Sequence, residues 1–179
     1  GDLLKGLVVA TKAGEARALF ELAQRYAQHR DAAPPVVAVG GLIGSGKTVL
    51  AEAVARDLGL PVVSSDRTRK WLAGVAPTER APEAAYRPSV SARTVDELFR
   101  RATLVLRSGR GVILDATFRG RDMRGRAREL ARRHGRPFLF AETACEDRVL
   151  RERLRQRAAG PSVSDATGEL LTRLRAEFE

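Results

Sequence analysis

The apolar positions of this chain fall into two alternating patterns. Short apolar runs occur at 36–40, 61–64, 112–115 and 137–141, the first three built on valine or isoleucine and the last on phenylalanine and leucine, each bounded by glycine, proline or a polar residue. Such runs are what strands buried on both faces look like. Between them, apolar residues recur every three to four positions. Leu50, Ala53, Val54 and Leu58 share a face, with Gly59 placed to end the helix, and Val95, Leu98, Phe99, Ala102, Val105 and Leu106 mark a helix over about 92–107. Asp122 can cap a third helix running to about His134, where Gly135 stops it, and a fourth spans 148–157. Strands alternating with helices predict an α/β domain with a mostly parallel sheet.

The ends of the chain read differently. Residues 3–30 predict helix, on the spacing of Leu19, Leu22, Ala23 and Tyr26, with a break near 12–15 and a stop at Pro34-Pro35. Residues 1–33 are therefore expected to be a helical appendage or the remnant of an upstream domain, and 34–179 the main domain. Residues 74–92 carry Pro77, Pro82 and Pro88 and predict a loop rather than a long helix. Gly160-Pro161 breaks the chain again, and Ser164 or Asp165 can cap a last helix.

Composition adds one constraint and one open question. With 44% hydrophobic and 30% charged residues in 179, this is an ordinary globular chain. No apolar run reaches the length of a membrane span, and the first residues lack the pattern of a secretory signal. The single cysteine, Cys145, fits a reducing cytoplasm and reads as a half-buried small apolar residue. The net charge of +10 is unusual: arginine supplies 28 of the 32 basic residues, and 17 of these lie between Arg100 and Arg157 against seven acids. Nucleic acid is one partner this charge fits; solvated helix faces in an arginine-biased sequence explain it equally well.

The chemistry starts at the first run. Gly41-Leu42-Ile43-Gly44-Ser45-Gly46-Lys47-Thr48 has the G-x-x-x-x-G-K-T spacing of a phosphate-binding P-loop, with a strand before it and Gly46-Lys47-Thr48 opening a segment of helical period; these eight residues and Val49 are the expected nucleotide-binding set. Glycines let backbone N–H groups turn inward around anionic oxygens, and the helix N-terminus adds its positive dipole end. Lys47 can reach the β- and γ-phosphates, and the Thr48 hydroxyl can ligate Mg²⁺. A dinucleotide-binding turn is disfavoured because Val49 stands where its third glycine or alanine belongs. ATP or GTP with Mg²⁺ is thus the expected ligand.

Two carboxylates complete the set. The run 112–115 ends in Asp115, the Walker B arrangement that positions Mg²⁺, and Ala116 follows where water-activating ATPases usually carry a glutamate. A dedicated hydrolase is disfavoured. The run 61–64 delivers Asp66 and Arg69 to the sheet edge where open α/β folds bind ligands. Asp66 can accept a proton from an attacking hydroxyl or cap the following helix, and Arg69 can hold a phosphate. The loop at 74–92 is a candidate acceptor pocket, with Arg80, Tyr86 and Arg87 its most useful side chains, and Thr117 and Arg119 extend toward it from the next strand. Arg153 and Arg157, four apart on one helix face, can neutralise a transferring phosphoryl group from a lid. His29 and His134 lack metal-ligand spacing and read as structural.

Taken together, the P-loop, Asp66-x-x-Arg69, the 112–117 run and Leu150-x-x-Arg153-x-x-x-Arg157 resemble the zeta-toxin and polynucleotide-kinase-like group of P-loop kinases. The wording at Ser65-Asp66, Arg69-Lys70, Leu72-Ala73-Gly74-Val75 and Pro77-Thr78 is most similar to the C-terminal ATP-binding domain of bacterial proteins fused to an aminoglycoside-phosphotransferase-like domain, which would make 1–33 the junction with that domain. The resemblance implies a three-layer P-loop kinase fold with its four strands in the order 2-3-1-4. It also implies an ATP·Mg²⁺-dependent phosphotransferase in which Asp66 is the general base, Arg69 contacts acceptor phosphate, and Arg153 and Arg157 hold the donor. The expected acceptor is a polynucleotide 5′-hydroxyl; a nucleoside or sugar, and a non-catalytic nucleotide-sensing module, are the alternatives.

Overall fold

A computed structural model describes residues 7–10 and 33–158. Five strands form one sheet: β1 (Leu7–Ala10), β2 (Val36–Gly41), β3 (Val62–Ser64), β4 (Val112–Asp115) and β5 (Phe138–Thr143). Their order is β1-β5-β2-β4-β3, and every pair is parallel. Five helices connect them: α1 (Lys47–Leu58), α2 (Ser65–Leu72), α3 (Pro88–Arg107), α4 (Arg121–Arg133) and α5 (Asp147–Ala158), with one 3-10 turn at Glu83–Tyr86. The four strands β3-β4-β2-β5 run in the 2-3-1-4 order expected of a P-loop kinase fold.

Strand periodicity sets the layers. In β2, Val37 and Val39 face one side, where with Ile113 they pack on Ala51 and Val54 of α1. Val36 and Ala38 face the other, joining Val112 and Leu114 against Leu98, Phe99, Ala102 and Leu106 of α3 and Ala127 and Ala131 of α4. Alternate residues of the same strand thus serve opposite cores, which is why the runs lack any polar interruption. Each fully buried valine, isoleucine or leucine contributes roughly 1.5–3 kcal/mol.

Three sequence expectations are corrected. The helix expected over 3–30 is replaced at Leu7–Ala10 by a strand paired in parallel with Phe140–Thr143. Leu7-Val8-Val9-Ala10 is itself a short apolar run centred on two valines, and β5 offers it an edge whose backbone groups need partners. Helical spacing further along the segment had masked it. The rest of that segment, His29, and the helix expected after Gly160 lie outside the described residues. Second, α3 begins at Pro88 rather than near 92. A proline at the first helical position gives up an N–H that has no partner there anyway, so here it opens the helix instead of precluding one. Third, Asp66 does not cap α2: Ser64 is the N-cap residue, and Asp66 lies within the first turn.

Candidate active site

The parallel register brings the functional side chains to one edge. Val39, Asp115 and Ser64 are aligned across β2, β4 and β3, so the P-loop leaves β2 directly beside the acid that ends β4. α1 starts at Lys47, after Gly46 in the left-handed region, so the N–H groups of its first turn, which have no partner within the helix, lie at the end of the loop. The Lys47 ammonium lies 2.9 Å from the Leu42 carbonyl oxygen. The Thr48 hydroxyl donates to Asp115 Oδ2 at 2.9 Å. Val49, next on α1, is exposed.

Asp115 is only 4% exposed. Burial pushes its carboxyl above the ordinary value, the Asp66 carboxylate adds to that push, and Lys47 with hydrogen bonds from Thr48 and Ser64 pulls the other way. Lys47 and two hydroxyls offset the burial of Asp115, and its carboxylate with the Thr48 hydroxyl brings hard oxygen atoms to one place. Among the described residues no group of three or more His, Cys, Asp or Glu side chains could hold a metal. Mg²⁺ does not need one, since it keeps waters and phosphate oxygens and takes one or two protein ligands. Thr48 and Asp115 fit that role. Asp66 projects from the first turn of α2, two residues beyond the aligned Ser64, close enough to act on Asp115.

Arg69, one turn after Asp66, donates from Nη1 to the Ala85 carbonyl at 2.6 Å and to Ser91 Oγ at 3.2 Å. Its guanidinium also lies over the Tyr86 ring, 4.8 Å from the centroid. The structure thus joins Tyr86 to the site. Arg80, Arg87 and Arg119 are exposed. On the other flank, α5 packs Leu150 and Leu154 on Ile43 of the P-loop, with Leu42 and Cys145 alongside. That seating aims Arg153 at the loop: its Nη1 donates to the Gly44 carbonyl at 3.2 Å and would lie 3.8 Å from a Cβ at Gly46. The Arg157 side chain lies outside the described part of α5. Cys145 is half-buried, as expected, and burial raises its thiol pKa.

Sequence reading missed the supports. Thr143, the last residue of β5, donates to the Gly40 carbonyl at 3.0 Å. The Ser45 hydroxyl lies 2.6 Å from both Thr143 Oγ1 and the Leu42 carbonyl. Gly41, at φ 125°, has the Thr143 carbonyl where a side chain would go. No motif points to a threonine about a hundred residues downstream; only the β2–β5 register, Gly41 opposite Thr143, reveals it. Thr143→Val should remove the hydroxyl that links Ser45 to the Gly40 carbonyl, cost about 1 kcal/mol of stability and weaken nucleotide binding several-fold. Melting temperature and an AMPPNP titration would check both, and unchanged nucleotide affinity would count against the strut. Phe118, fully buried with φ 47°, is a second support. It packs edge-on to Phe140 at 6.0 Å, and Arg124 donates to its carbonyl at 2.7 Å. Its neighbour Thr117 offers a carbonyl to the Gly41 N–H at 3.0 Å. A strained non-glycine residue here fixes the loop between the Walker B strand and the P-loop. Lys70, 1% exposed, donates to the Pro77 carbonyl at 3.1 Å and ties the start of the loop that follows α2 back to that helix.

A P-loop joined to the acid that ends β4, on a five-stranded parallel sheet with α5 packed on the loop, defines a P-loop kinase-like fold. The chain belongs to the AAA_33 family, described as an AAA domain, which matches residues 36–179. It is 35% identical over 160 residues to uncharacterized proteins of Mycobacterium tuberculosis and Mycobacterium bovis; the match takes in 87% of this chain but 31% of theirs. The chain therefore spans about a third of the length of these relatives. Among solved structures it is similar to a gluconokinase from Sinorhizobium meliloti, with a TM-score of 0.55 and 22% identity over 83% of this chain and 77% of that one. It is also similar to the Mycobacterium tuberculosis APS kinase CysC in complex with AMPPNP and APS (TM-score 0.56, 23% identity, 72% of each chain). A third is Chaetomium thermophilum Kti12 in complex with ADP-AlF3 (TM-score 0.60, 20% identity, 81% of this chain and 80% of that one). Among the described residues, no helix is long and apolar enough to cross a membrane.

Proposed function

We propose that this chain transfers the γ-phosphoryl group of ATP, or of GTP, to an acceptor hydroxyl, with Mg²⁺ bound by Thr48 and Asp115. The observation that carries the reading is the meeting of three groups at one sheet edge: the Thr48 hydroxyl 2.9 Å from Asp115, and the Asp66 carboxylate close enough to shift that acid. When bound, Mg²⁺ neutralises charge on the phosphate oxygens. The P-loop N–H groups from Gly41 to Thr48 hold the triphosphate, and Lys47 moves from its loop carbonyl to the phosphates. Arg153, already on the Gly44 carbonyl, stabilises charge as the phosphoryl group leaves, with Arg157 one turn further along α5 in support. Asp66 takes the proton of the acceptor hydroxyl. Arg69 holds a phosphate of the acceptor: its Nε is buried without a hydrogen-bond partner among the described residues. Ala116, 3% exposed, offers no carboxylate to activate water, which favours transfer over hydrolysis.

The acceptor we favour is a polynucleotide 5′-hydroxyl, supported by the charge of +10 and the Asp66/Arg69 pair, and with it the zeta-toxin and polynucleotide-kinase-like relationship. A small-molecule acceptor is the second reading, because the similar folds include a gluconokinase and an APS kinase. The third is a non-catalytic nucleotide sensor, in line with relatives three times as long and with residues 1–33 as a junction to a further domain. We place the protein in the cytoplasm on its cysteine usage. Incubation with γ-labelled ATP and a panel of 5′-hydroxyl oligonucleotides, nucleosides and sugars separates the three. Label on an oligonucleotide supports the first, label on a nucleoside or sugar the second, and nucleotide binding with no label transferred the third.

A further inference from the structure

Arg69 is held on two sides before any ligand arrives. Its Nη1 is committed to the Ala85 carbonyl and Ser91 Oγ, and its Cζ lies over the Tyr86 ring. All three contacts come from the turn at Glu83–Tyr86 and the first turn of α3, a stretch that carries no recognisable motif. Ala85 is buried, so this clamp is anchored in the fold rather than lying on its surface. What remains is the Nε edge of the fork, buried and unpartnered among the described residues. Buried guanidinium N–H groups are nearly always hydrogen-bonded, and planar forks pair best with phosphate or carboxylate oxygens.

We propose that Tyr86 and Ser91 are positioning residues that hold the Arg69 fork oriented for a phosphate group carried by the acceptor, a role that rests on the phosphotransferase reading of the same site. Asp66 and Arg69 are three apart on α2 and share a face, with side chains rooted roughly 5–6 Å from each other. The acceptor is then a compound whose reacting hydroxyl and phosphate are a few bonds apart, and the Glu83–Ser91 stretch is the element that selects it. A long arginine side chain loses much rotamer freedom when it binds; fixing it beforehand removes that cost from the binding step. Loss of either support should weaken phosphate binding without touching the nucleotide.

The test reads the Nε–H resonance of Arg69 directly in ¹⁵N-labelled protein saturated with AMPPNP and Mg²⁺, the signal being assigned with Arg69→Lys. Titration with inorganic phosphate is expected to shift that signal saturably. Ser91→Ala and Tyr86→Leu should each raise the apparent Kd at least fivefold, while Ser91→Thr and Tyr86→Phe stay within twofold and AMPPNP affinity holds in all four. A 5′-hydroxyl dinucleotide and glycerol 3-phosphate, as separate arms, tell a phosphodiester source from a monoester: the one that reproduces the shift at lower concentration identifies it. The proposal is overturned if phosphate leaves the Arg69 Nε–H unmoved, or if Ser91→Ala and Tyr86→Leu bind it as wild type does. Failure of AMPPNP to bind wild-type protein would instead overturn the donor assignment at the P-loop, a separate signal.

Discussion

Replacing Asp66 by alanine is expected to lower phosphoryl transfer by about 10²–10⁴-fold, the span associated with losing a positioned general base, while AMPPNP affinity changes by less than about twofold. The asymmetry follows from position. Asp66 stands in the first turn of α2, across from Asp115, and no hydrogen bond joins its side chain to the P-loop among the described residues. Removing it leaves the cradle of Gly41–Thr48 and the Thr48–Asp115 contact intact. Transfer to the acceptor found in the panel, measured beside a binding titration, decides the matter. If the variant turns over at the wild-type rate, Asp66 is not the base; if it loses nucleotide binding as well, it belongs to the donor site instead.

Asp115→Asn should do two opposite things. Transfer is expected to drop by roughly 10²-fold or more, because a neutral amide cannot supply the anionic oxygen that Mg²⁺ prefers. The protein without nucleotide or metal is expected to melt higher. Burial raises the folded-state pKa of Asp115 above its ordinary 3.8, so the folded protein binds that proton more readily than the unfolded chain. The favourable contribution is fully present below 3.8 and is lost as pH rises through the raised folded value. At neutral pH the wild type therefore carries the whole penalty of a buried charge, and asparagine, which can still accept from Thr48, carries none. Melting curves from pH 4 to pH 7 should show the gap between variant and wild type widening with pH. A constant gap, or a variant that melts lower throughout, would show that the charge of Asp115 is fully compensated by Lys47 and the two hydroxyls. The expected trade of stability for function places the acid among residues kept for chemistry.

Much of the site was legible in the sequence because its chemistry is local. The P-loop is a contiguous string, and its glycines, lysine and threonine act within one turn and one helix start. Asp115 was legible because a buried apolar run ending in an acid is unusual, and the alternation of short runs with 3–4 periodic segments fixed the fold class. The strand at Leu7–Ala10 was not. Four apolar residues, two of them β-branched, carry too little signal against neighbours with helical spacing, and what makes them a strand is the free edge of β5, supplied from more than a hundred residues away.

Tertiary structure alone decided which distant residues meet. Thr143 reaches Gly40 and Ser45 only through the register of β2 on β5. Tyr86 and Ser91 reach Arg69 only because α3 and the 3-10 turn before it lie against α2. Ser64 takes the N-cap position of α2 and Asp66, two residues on, falls in the first turn near Asp115, a choice between nearby polar residues that local preference does not settle. The chain by itself determined which groups could bind phosphate and move a proton, since side-chain chemistry and short-range spacing are properties of sequence. Their separation and mutual orientation, on which any reaction depends, were set by parallel strand register and by helix packing on the two faces of the sheet.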